Sequence, residues 1–119
     1  MTTLIGPMLE DAADLLGGSI SAPRGQAVRL SSLLARQAFE EVVSELCLAK
    51  GECLDYPVAM RSRLIFIRDR YDGETAAMAE TAWAGLSEAC HHHSYELTPT
   101  VGEIHYYLGL VSKLRVITG

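Results

Sequence analysis

Proline and cysteine are scarce: four and three residues in 119. So few prolines leave long stretches free to stay helical. An odd, small cysteine count has no paired framework and points to free thiols in a reducing, cytoplasmic compartment. No stretch approaches the roughly 18 consecutive apolar residues of a membrane span, so no membrane is expected. Met1 to Glu10 carries no lysine or arginine, which argues against a secretory leader. Positive charge is also short. Ten basic against fifteen acidic residues give −5, so nucleic-acid binding needs a local basic patch. Repeats, low-complexity tracts and linkers are lacking. What remains is an ordinary globular balance, 49% hydrophobic and 21% charged, in a chain the size of one domain, residues 1–119.

The apolar spacing is helical almost throughout. Leu4, Ile5, Met8, Leu9, Ala12, Leu15 and Leu16 make one stripe, with Gly6-Pro7 in its first turn and Gly17-Gly18 as its stop. A long second helix is expected over about 26 to 50. Leu30, Leu34, Ala38, Val42, Leu46 and Ala49 form one stripe, and Phe39, Val43 and Cys47 a second. Lys50-Gly51 ends it. A third helix over about 58 to 71 and a fourth over about 74 to 91 are joined by the tight reversal Tyr71-Asp72-Gly73. Leu64 to Ile67 also fits a short strand, but four residues inside a helical window favour the helix. The last helix opens at Thr98-Pro99 or at Thr100, where Thr100 and Glu103 fit a capping box. Ile104, Tyr107 or Leu108, Val111 and Leu114 face inward. The expected fold is all-α, an antiparallel up-down bundle of four main helices plus the N-terminal one.

Up-down alternation gathers the end of helix two, the start of helix three, the end of helix four and the start of helix five at one pole. Cys47, Lys50, Cys53, Asp55, Tyr56, Cys90, His91, His92, His93, Tyr95 and Glu96 fall there. Polar residues collect at helix ends in any bundle, and Cys47 and Cys90 also suit a core as small hydrophobes. Histidine exchanges protons near neutral pH and ligates metals. No CxxC or HExxH spacing is present, so no metal and no cofactor are expected. A metal-stabilised interaction domain drawing on Cys47, Cys53, Cys90 and His93 remains an alternative.

The segment Leu86-Ser87-Glu88-Ala89-Cys90-His91-His92-His93-Ser94-Tyr95-Glu96-Leu97-Thr98 ends one helix in histidine and opens the next. With the long helix beginning Leu34-Ala35-Arg36-Gln37-Ala38-Phe39-Glu40, it resembles the HEPN superfamily over about residues 26 to 117. Many HEPN domains are dimeric, metal-independent endoribonucleases with an Arg-x4-6-His motif at this place, the two motifs lining a cleft between protomers. The resemblance implies a histidine, His93 or His92, moving a proton at an RNA 2′-hydroxyl, with an arginine stabilising charge on the phosphate. His91, Tyr95, Glu88 and Arg63 would contribute to binding.

The sequence departs from that pattern at the arginine. Counting back from His93 by the shortest spacing lands on Glu88, and no allowed spacing from His91, His92 or His105 reaches an arginine. A carboxylate there repels a phosphate. Reflecting the helix three–four hairpin about Asp72-Gly73 sets Arg61 beside Ala84, about 6 Å along the axis from Glu88. Arg61 is therefore the expected substitute, with Arg63 in an RNA-facing patch. Alternatively these arginines form a solvated face with Asp69, Asp72 and Glu74.

The expected function is a HEPN-like dimeric module of RNA-associated, toxin-antitoxin or phage-defence type, without full catalytic competence. The alternative is an active endoribonuclease using the His91–His93 cluster. Partners are a second copy, RNA or another protein. The homodimer is expected because helix two and Tyr106, Tyr107, Leu108 and Leu110 of helix five offer more apolar face than one core needs.

Overall fold

A computed structural model describes residues 4–22, 26–51, 58–90 and 100–118. They form five helices in order, α1 (Ile5–Gly17), α2 (Ala27–Ala49), α3 (Met60–Arg70), α4 (Gly73–Cys90) and α5 (Val101–Thr118), with no strand among the described residues. Leu64 to Ile67 is helical.

The helix ends follow local chemistry. Gly18 (φ 85°) closes α1 in the left-handed conformation, its N–H donating to the Asp14 carbonyl; Gly51 (φ 91°) follows α2 likewise. Both positions suit glycine because a Cβ is strained there. At α5 the capping box forms in full. The Thr100 N–H donates to Glu103 Oε1 at 3.0 Å, and the Glu103 N–H donates to Thr100 Oγ1 at 3.0 Å.

The core is one cluster drawn from all five helices. Phe39, Val43 and Cys47, the whole second stripe of α2, are fully buried. The first stripe divides: Ala38, Val42 and Leu46 point inward, whereas Leu30 and Ala49 are exposed. On α5, Ile104, Leu108, Val111 and Leu114 are buried, and so is Leu110. Burying side chains of this size contributes roughly 1.5–3 kcal/mol each.

Two features differ from expectation. α1 is a wall of the core rather than an addition to it. Ile5, Leu9 and Ala12 belong to the common cluster, α1 packs on both α2 and α5, and Ser31 of α2 donates its hydroxyl to the Ala12 carbonyl at 2.9 Å. Leu4, at its start, is exposed. The second difference is α3. The Cys47 thiol donates to the Arg63 carbonyl at 3.9 Å, and the Tyr71 hydroxyl donates to the Leu46 carbonyl at 2.7 Å. Both ends of α3 therefore meet the same C-terminal stretch of α2, and α3 lies across it. An 11-residue helix is about 16 Å long beside roughly 34 Å for the 23 residues of α2. Such a short piece does not carry the chain to the far end of α2.

α4 then starts beside the end of α2 and runs back along it. Trp83 stacks on Phe39 with centroids 6.0 Å apart, and the Cys90 thiol donates to the Ser32 carbonyl at 3.7 Å. α5 packs on both α2 and α4. A Cβ at Gly85 of α4 would overlap the Tyr107 ring of α5, which is the close approach that glycine permits.

Candidate functional site

His91, His92, His93, Tyr95 and Glu96 lie outside the described residues, as do Cys53, Asp55 and Tyr56. The structure places what leads into that segment, the last turn of α4, and the arginines meant to serve it.

The common pole does not form as expected. Cys47 sits near the end of α2, whereas Cys90 sits at Ser32, near its start. Fifteen residues of helix separate those two levels, about 22 Å. One metal ion cannot be shared by both thiols. The cause is α3: because it lies across α2, α4 begins where α2 ends, and its own end returns to the start of α2.

The same crossing moves the arginines. Arg63 donates from Nη1 to Ser44 Oγ at 2.9 Å, and its Nε is buried without a hydrogen-bond partner. Ser44 lies twelve residues, about 18 Å, along α2 from Ser32 and the Cys90 thiol. Arg61, exposed and half a turn before Arg63, belongs to that level. Arg63 is thus held at Ser44 and does not adjoin the end of α4. Arg68 pairs with Glu80 at 3.0 Å, and Arg70 stacks on Phe66 at 4.8 Å.

A different arginine occupies the end of α4. Arg36 of α2 holds its guanidinium 4.9 Å from the Trp83 ring centroid and lies 3.7 Å from Glu40. Its charge also reaches Cys90, with Arg29 adding a weaker effect. Burial pushes the Cys90 thiol above its ordinary range, and the Arg36 guanidinium pulls the other way. The opposite side of this turn is acidic. Burial raises the Tyr107 phenol, and the carboxylates of Glu103 and then Glu88 add to the shift. Exposed Glu88 therefore faces α5, while Cys90 faces the arginines of α2. Ser87 Oγ, one residue before Glu88 on the same turn, is buried without a hydrogen-bond partner.

Arg36 and Trp83 were not singled out from the sequence. The signal was the seven-residue spacing of Arg29 and Arg36, which puts both on one side of the second helix. Only the packing shows which helix that side meets.

Two concavities flank these features. One is an open groove of about 680 Å³ lined by Leu15, Leu30, Leu33, Leu34, Arg36, Gln37 and Glu40. The other, about 390 Å³, lies at the far end between Lys50, Arg70, Tyr71, Asp72 and Ile117. There the Lys50 ammonium sits 4.9 Å from the Tyr71 ring centroid. Among the described residues, no three His, Cys, Asp or Glu side chains are grouped to hold a metal ion. Among the same described residues, no helix is long and apolar enough to cross a membrane.

On the expected dimer face, Leu108 and Leu110 are buried within the protomer, Tyr107 is half-buried, and Tyr106 is 58% exposed. The helix-two part of that face does expose apolar side chains, with Leu30 38% and Leu33 44% exposed. The chain matches no family model, no curated protein and no solved structure.

Proposed function

We propose that the chain is a helical association module, HEPN-like in its long second helix and histidine turn, that works as a homodimer without full catalytic competence. RNA or a partner protein is its ligand, in a toxin-antitoxin or defence setting. The observation that supports this most is the position of Arg63, held on Ser44 about 18 Å along α2 from the level of Cys90. Glu88 stands where the motif's arginine is wanted, and it is exposed. A carboxylate at that sequence position opposes the negative charge that a phosphodiester's transition state develops.

One observation favours a second reading, an active endoribonuclease using His91, His92 or His93. Arg36 reaches Cys90, one residue before His91, and offers a guanidinium from another helix. Its stacking on Trp83 and its nearness to Glu40 count against it as a free phosphate ligand.

Incubating single-stranded RNA with the wild type, His93→Ala and Arg36→Ala separates the two. The association module predicts intact RNA in all three lanes at micromolar protein. Cleavage by the wild type that either substitution abolishes, with folding retained, overturns it in favour of the nuclease.

A further inference from the structure

Arg29, Leu33, Gln37 and Glu41 are all exposed and stand four residues apart, so they form one row on the outer face of α2. The row is basic at its first residue and acidic at its last. Arg36 and Glu40, half-buried beside it, repeat that polarity. Next to the row runs the groove of about 680 Å³ in which Leu15 of α1 and Leu30, Leu33 and Leu34 of α2 are apolar lining. Two leucines exposed by 38% and 44% on one helical face are an unfinished hydrophobic contact.

Resting on the homodimer reading above, we propose that this face of α2 docks on the same face of a second copy, the two α2 helices running in opposite directions about a two-fold axis that crosses the outer face at the level of residue 35. The row is complementary to itself only in that direction. Arg29 and Glu41 are each six residues from Ala35, so reversal sets each Arg29 against Glu41 of the second copy. Leu33 meets Gln37, and the leucines of both copies cover the two grooves. Parallel pairing sets arginine on arginine and glutamate on glutamate instead, which is repulsive. An unrelated partner has no reason to share this polarity, whereas a two-fold contact requires a patch that matches itself. The leucines supply the affinity, and the charge pairs fix direction and register.

The test uses the full chain in a Cys53→Ser background. Leu33→Cys and Gln37→Cys proteins, mixed and mildly oxidised, should form the 33–37 cross-linked dimer. Leu48→Cys, exposed at the far end of α2, should not cross-link to itself. Glu41→Arg should raise the dimer dissociation constant by about tenfold or more, and Arg29→Glu/Glu41→Arg should restore it. These positions are exposed, and unchanged circular dichroism certifies folding. A dimeric wild type with equal cross-linking through position 48, or with no response to Glu41→Arg, overturns this surface and leaves the homodimer standing. A monomeric wild type removes both.

Discussion

Cys47 and Cys90 sit at opposite ends of α2, one donating to the Arg63 carbonyl and the other to the Ser32 carbonyl. They differ in access as well: Cys47 is fully buried and Cys90 half-buried. In a Cys53→Ser protein, iodoacetamide should therefore modify Cys90 slowly and leave Cys47 untouched until the chain unfolds. Burial raises the Cys90 thiol, so its alkylation rate should climb at higher pH than that of an unfolded peptide. The sign for stability follows. A thiol kept neutral by folding contributes stability that is complete below the unfolded pKa and is lost as pH rises through the folded one. Arg36→Ala removes the counteracting guanidinium and should shift the alkylation profile further upward. A downward shift contradicts the placement of Arg36.

Gly85 and Tyr107 test the contact between α4 and α5. Alanine in a helix interior is favoured over glycine by about 1 kcal/mol. At position 85, however, the new methyl overlaps the Tyr107 ring. Gly85→Ala should destabilise the wild type by roughly 1–3 kcal/mol as the ring is displaced. In a Tyr107→Ala background the same change should stabilise by about 1 kcal/mol. Urea unfolding of the four proteins gives the cycle, and equal effects in both backgrounds contradict the contact.

Asp72 caps α4. Its Oδ1 accepts from the Thr75 N–H at 2.8 Å, and hydrogen bonding to Thr75 holds its carboxyl below the ordinary range. A depressed folded pKa gives stability that is present above the unfolded value and lost as pH falls through the folded one. The stability difference between the wild type and Asp72→Ala should therefore be constant near neutrality and shrink only in acid. Thermal unfolding from pH 7 to pH 2 measures it; a gap that stays constant to the lowest pH contradicts the cap.

Much of this molecule was legible because it is local. Gly18 and Gly51 stop helices through backbone geometry, and Thr100 and Glu103 start one through a reciprocal pair three residues apart. The inward residues Ile104, Val111 and Leu114 follow from the helical period. The site was less legible, because it depends on direction. Whether α3 runs the length of α2 or lies across it is decided by the Cys47 and Tyr71 contacts, which no period encodes. That one choice separates Cys47 from Cys90, holds Arg63 at Ser44, and delivers Arg36 to the end of α4. The expected dimer face narrowed for a similar reason: buried Leu108 and Leu110 look identical to exposed ones until their neighbours are known.

Self-association is the property on which the proposed function stands, and molar mass in solution tests it most directly. Light scattering on the purified chain from about 1 to 100 µM, a range chosen to span ordinary dimer affinities, should give about twice 13.0 kDa over the upper part of the range. A constant 13.0 kDa at every concentration contradicts the account.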